Sequence, residues 1–170
     1  VLFAVLLGCG GLLSEARKGS ALFTLSLPIT RPELLKVRTV TGLTQCLAIT
    51  MIPPLVLPIL APSVGQHFSV IDALAHGLCL FFVAALFFSL ASFLSTMFGD
   101  IWRPLLIALF LACVAAVAQF VAPELGVFRV MSGETYFRTG ALPWMGFLTT
   151  AVLASALLYG ASETLERADF

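Results

Sequence analysis

Charge is what this chain has least of. Asp, Glu, Lys and Arg make up 11% of its 170 residues, where a soluble domain carries about 25%. Only two lysines occur, Lys18 and Lys36, and the formal net charge is zero. A nucleic-acid groove needs clustered cations, so a polyanion partner is excluded. Neither lysine follows a glycine, which rules out the phosphate-cradling loop of nucleotide hydrolases. The only histidines, His67 and His76, stand nine apart, so the paired-histidine helix of a zinc protease is missing. The four cysteines, at 9, 46, 79 and 113, are scattered singly through apolar runs. They read as small buried hydrophobes, with neither a disulfide framework nor a metal site.

Two membrane-protease arrangements fail as well. Gly160-Ala161-Ser162-Glu163 comes near a nucleophile turn, but glutamate stands in the second glycine position and no histidine follows position 76. Asp72 and Asp100 lie at opposite ends of one apolar run, too far apart to share a proton. No catalytic constellation, cofactor or metal is expected in this chain.

What is abundant is hydrocarbon: 60% apolar residues and a mean hydropathy of +1.07. A helix needs about 20 apolar residues to cross a bilayer. Four runs reach or approach that length: Val40–Leu60, Ile71–Phe98, Leu105–Val121 and Trp144–Gly160. A fifth, Val1–Leu13, reads as the second half of a span. The expected fold is all-α, a polytopic transmembrane bundle with about five spans over residues 1–170.

The basic residues orient it. Five of the nine, Arg17, Lys18, Arg31, Lys36 and Arg38, fall within 14–39. Short loops rich in Lys and Arg stay cytoplasmic. Alternation then puts seven cations inside, those five with Arg103 and Arg167, against Arg129 and Arg138 outside. The expected location is a cell membrane, crossed several times, with 14–39 and the C-terminus cytoplasmic. The outer segment 122–143 mixes aromatic, basic and apolar residues, which suits a stretch that lies in the interface or re-enters it. Trp102 and Trp144 are placed for opposite interfaces.

Polar residues inside the runs are few. Gln45 reads as an interhelical hydrogen bond, worth about 1 kcal/mol, in preference to a substrate contact. Ser89, Ser92 and Ser95 recur every third residue and read as a close-packing stripe in preference to a substrate path. Pro53, Pro54 and Pro58 free backbone carbonyls, so the outer half of Val40–Leu60 should be kinked and packed. Asp72 and His76, at i and i+4, can pair. Asp100 and Arg103 suit an exposed ion pair.

The basic loop divides at Pro28. Before it, Ala21–Leu27 is apolar enough to lie on a surface; after it, Thr30-Arg31-Pro32-Glu33 has the capping-box pattern, with proline in the first turn. A helix should therefore start at Thr30 and run into the span. Glu15, Gly19-Ser20 and Leu25-Ser26-Leu27-Pro28-Ile29-Thr30-Arg31 resemble the second cytoplasmic segment of type-2 ATP-binding-cassette (ABC) transporter permeases. The ending Glu166-Arg167-Ala168-Asp169-Phe170 is similar to theirs too, whereas Pro32 stands where that family more often has a basic or bulky residue.

The resemblance implies a six-span permease domain cut within its second span, acting in export. It also implies a separate ATPase subunit that binds the ATP, and a second permease as partner. It makes 14–39 a coupling loop, with Glu15, Gly19, Leu27, Pro28, Thr30 and Arg31 as the positions that meet the ATPase. The rival reading is a transporter or lipid-handling membrane protein with no ATPase.

The orientation is testable. On a cysteine-free background, an impermeant thiol reagent applied from outside should label Ser132→Cys and leave Lys18→Cys untouched. Labelling at 18 without labelling at 132 would reverse the topology.

Overall fold

The computed structural model describes residues 1–10, 31–65, 69–98, 100–121 and 127–167, and among them every regular element is helical. In order these are α1 (Leu2–Cys9), α2 (Arg31–Leu60), a 3-10 turn (Ala61–Val64), α3 (Val70–Met97), α4 (Trp102–Val121), α5 (Val127–Ser132), α6 (Glu134–Thr139) and α7 (Trp144–Arg167). Lipid offers no partner to a bare backbone amide, so long apolar runs close their hydrogen bonds within themselves. Four helices, α2, α3, α4 and α7, are long and apolar enough to cross a membrane. The described residues thus hold four such helices where about five spans were expected. The difference is α1, whose 8 residues extend only about 12 Å at the α-helical rise.

The helices outrun the apolar runs from which they were read. α2 begins at Arg31, nine residues before Val40, because Pro32 and Glu33 favour a helix start there. α7 continues past Gly160 to Arg167, burying Ala161 and Leu165 on the way.

α3 is the hub. Half of its apolar window is buried (50%), against 11% for α2, 17% for α4 and 22% for α7. α1 lies parallel to it: Ala4 packs with Ala84 and Phe88, and Gly8 faces Ala91 and Ser92. α2 is antiparallel, with Gly42 against the Phe88 ring and Met51 and Pro54 against Gly77. α7 is parallel, matching Phe147 to Phe82, Gly160 to Phe93 and Thr164 to Thr96. α4 contributes Ala108 and Ala112 to a core that also holds Val5, Cys9, Val83, Phe87 and Ala91.

α2 and α4 therefore begin, and α3 and α7 finish, at one end of the bundle. It carries Arg31, Lys36, Arg38 and Arg103 and is called the basic end below. Trp102 and Trp144, both exposed, open α4 and α7 at opposite ends.

Close approach decides the packing. A methyl group on Gly8 would stand 2.6 Å from Ala91 Cβ and 2.6 Å from the Phe88 carbonyl oxygen. One on Gly42 would collide with the Phe88 ring. Ser89, Ser92 and Ser95 are all buried in this surface; Ser89 Oγ donates to Ala85 O (2.8 Å) and Ser95 Oγ to Ser92 O (2.8 Å). Backbone carbonyls thus absorb two of the three hydroxyls, which lets the stripe pack as if apolar.

Two sequence expectations change here. The outer half of α2 meets α3 through Met51 and Pro54, while Ile52, Leu55, Leu57, Ile59 and Leu60 are exposed. Pro53, Pro54 and Pro58 sit inside one helix that runs unbroken to Leu60. Cys9, Cys46 and Cys79 are buried free thiols, but Cys113 is exposed, because only the Ala108–Ala112 side of α4 meets the core.

Replacing Gly8 by valine should cost about 1–3 kcal/mol, since neither the Phe88 carbonyl nor Ala91 can yield. Leu6→Ala, on the exposed side of the same helix, should cost far less. Thermal unfolding in detergent checks the pair.

Candidate functional site

Two polar clusters mark the two ends of the bundle. At the basic end, α2 opens at Arg31 and its second turn brings Leu35 into a small core with Ala161 and Leu165 of α7, flanked by Phe93 of α3. Just beside it the Thr96 and Thr164 hydroxyls are 2.7 Å apart, joining α3 to α7. Each hydroxyl also lies within reach of a carbonyl of its own helix, Thr96 of Phe93 O and Thr164 of Gly160 O, so one donates to its partner threonine while the other donates back to its carbonyl. Arg38 lies over the end of α1, where a methyl on Gly10 would stand 2.9 Å from a guanidinium nitrogen. Asp100 and Arg103 form the expected exposed pair, Nε to Oδ2 3.3 Å.

Of the six coupling positions, Glu15, Gly19, Leu27, Pro28 and Thr30 lie outside the described residues, and Arg31 is placed as the first residue of α2. Gln45 is exposed, pointing away from α3, and has no hydrogen-bond partner among the described residues. Among the described residues it makes no interhelical bond, and Gly42 and Cys46 are the residues of that turn which face Phe88. Ser92 Oγ is buried without a partner among the described residues, at the α1–α3 crossing.

The opposite end is built from α3, α5 and α6. Phe147 packs on Phe82, and 12 residues of α3 precede Phe82 where only 3 of α7 precede Phe147. α3 therefore projects beyond α7 by 12 − 3 = 9 residues, and that projection carries Asp72 and His76. The sequence allowed this pair to bond to each other. Instead Asp72 Oδ1 accepts a hydrogen bond from the Tyr136 hydroxyl at 2.8 Å. His76 packs near the Phe137 ring (centroids 6.2 Å) and its buried Nδ1 finds no partner among the described residues.

The chain between 128 and 136 runs along α3. Phe128 meets Phe87, past the midpoint of α3; Gly133 lies near His76; Tyr136 reaches Asp72 in the first turn. Residues 128–136 thus run from past the middle of α3 back to its first turn. An ion-pair chain ties α5 to α6: Glu134 Oε1 accepts from Arg138 at 3.1 Å, and Glu134 Oε2 stands 3.7 Å from Arg129 Nε.

Chemically this cluster fastens. No group of three or more His, Cys, Asp or Glu side chains among the described residues could hold a metal ion. Its hydrogen bond to the Asp72 carboxylate, helped by partial desolvation and the carboxylate charge, pushes the Tyr136 hydroxyl above its usual range. Sequence reading missed Tyr136, Leu35, Thr96 and Thr164, since each acquires its role only from a residue far along the chain; it also missed Glu134, whose partners Arg129 and Arg138 are near in sequence. The one available signal was rarity: Tyr136 is one of two tyrosines.

The raised tyrosine supplies a titration test. With Tyr159→Phe as background, tyrosinate absorbance should rise above the ordinary midpoint of about 10; adding Asp72→Ala should bring it back down. The fold prefers the neutral hydroxyl, so this bond's stabilisation is present below pH about 10 and is lost as pH climbs through the raised value.

Comparison of the chain with protein-family models, with curated proteins and with solved structures finds no match in any of the three.

Proposed function

We propose that this chain is a membrane-spanning permease subunit of an ABC transporter, exporting its substrate with energy from a separate ATPase subunit. A second permease completes the pathway. The reading rests on the resemblance carried by Glu15, Gly19 and the Leu27-Pro28-Ile29-Thr30-Arg31 motif. The four apolar helices of the bundle are compatible with it.

The observation that carries it furthest is where the motif ends. Arg31 is both its last residue and the first residue of a 30-residue helix. One turn later Leu35 is buried against α7 and beside Phe93 of α3. A helix with its hydrogen bonds intact is stiff, so a displacement at 27–31 is delivered to α2, α3 and α7 together. Closure of the ATPase can move the pathway only through such an element. The knob itself is an apolar ridge, a proline of fixed φ and one arginine. A groove on a soluble subunit can take it in a desolvated contact, where a reversed charge is costly.

Pull-down of the ATPase by the full-length protein tests both parts. Arg31→Glu should lower its retention about tenfold or more, a change of about 1.4 kcal/mol. The same reversal at Arg17, Lys18, Lys36 or Arg38 should matter much less. Equal, small effects at all five positions are what attraction to anionic lipid predicts, each cation contributing about 1 kcal/mol, and would defeat the docking. Leu35→Asp should leave the ATPase bound but separate hydrolysis from transport.

A further inference from the structure

α5 and α6 are held on the bundle in two different ways. α5 is wedged by apolar groups. Phe128 lies against Phe87, and Val127, Val130 and Met131 pack on the core that holds Val83 and Ala91. Val130 presses on α7 so closely that a methyl on Gly146 would stand 2.6 Å from it. Neither helix has a fully buried residue, but α6 is the more open of the two, with Phe137, Arg138 and Thr139 exposed. Its ties to α3 are the Tyr136–Asp72 hydrogen bond and the contact of Phe137 with His76. The ion pairs of Glu134 with Arg129 and Arg138 run along the hairpin itself and do not reach α3.

Both ends of α6 are glycines with positive φ, Gly133 at 67° and Gly140 at 70°. Glycine occupies that region without steric cost and leaves it as easily, so these are the two points where the backbone can turn.

The geometry points to α6 as a latched strap: it closes over the projecting end of α3 through Tyr136–Asp72 and swings on Gly133 and Gly140 when that bond opens, with α5 left in place. The closed arrangement has a built-in opposing force. It keeps Nδ1 of His76 buried without a partner among the described residues, and a buried polar atom without a partner disfavours the state that holds it. Opening gives that nitrogen to water and exchanges one tyrosine–carboxylate bond for bonds to water. Gain and loss are of similar kind, which is the condition for two populated arrangements of one element. What the swing exposes is the first turns of α3, with Asp72 and His76 side by side on one face. This inference stands apart from the permease reading.

Amide hydrogen exchange, read by mass spectrometry on the full chain in lipid nanodiscs, tests it. In the unmodified protein residues 134–140 should exchange about tenfold faster than 127–132, as separate opening units do; equal rates overturn the strap. Tyr136→Phe, which removes one hydroxyl, and Asp72→Ala should each speed exchange across 134–140 by a further factor of about ten and leave 127–132 unchanged. Asp72→Asn keeps an acceptor and should stay near the unmodified rate. No change in 134–140, or acceleration of both segments together, overturns the latch. Should a variant fail to fold, the comparison within the unmodified protein decides.

Discussion

Everything in this bundle depends on how near other backbones can come to one face of α3. Between lipid tails there is no hydrophobic force left to drive helices together, so contact must come from dispersion at short range. Ala84, Ala85, Ser89, Ala91, Ser92 and Ser95 keep that face low, and Gly8 and Gly42 bring the opposing backbones down onto it. Phe88 is the one large side chain among them. Its ring fills the space above Gly42 while its own carbonyl faces Gly8, so one residue sets the spacing of two neighbours. Away from that face, Phe87 and Phe147 are buried against neighbouring helices, while Phe110, Val117, Met145 and Leu148 are exposed.

The second constraint is the fate of polar atoms. Along the helices, hydroxyls are absorbed by the carbonyl three or four residues back, as at Thr41, Thr44, Ser89 and Thr150. Among the described residues, hydrogen bonds between side chains of different helices are seen at the ends, Thr96 with Thr164 at the basic end and Tyr136 with Asp72 at the other. A misplaced bond in the middle of a bundle would fix a wrong register as firmly as a right one. Near the ends, water can compete and errors can be corrected. The interior is thus matched by shape and the termini by polarity.

The sequence made the class of this fold legible because hydropathy reports the solvent, and the solvent here permits one backbone solution. The four long helices were visible for that reason, as was the helix start beside Pro32 and Glu33. Which face of each helix meets α3 was not, because a helix apolar all round has no stripe to read. Gln45 shows the limit: it was polar, and so expected inside, yet the turn that faces α3 is defined by the smallness of Gly42 and by Cys46. Pro53, Pro54 and Pro58 were expected to be covered, and of these three Pro54 is buried, Pro58 half-buried and Pro53 exposed. The spacing of Asp72 and His76 along one helix allows the two to pair. The partner that Asp72 takes is 64 residues away, a separation that no local pattern encodes.

The placement of α1 has a consequence for assembly. Its core-facing residues, Ala4, Val5 and Cys9, find their partners in Val83 to Ala91, beyond the whole length of α2. During synthesis α1 is made before α3, the helix that supplies most of its core partners, has entered the bilayer. The first element of the described chain is therefore not fully secured until α3 arrives, and the same arrival secures α2. Insertion proceeds helix by helix, while packing waits for the hub and then falls into place nearly at once, so a chain halted before α3 holds neither α1 nor α2 in its final position.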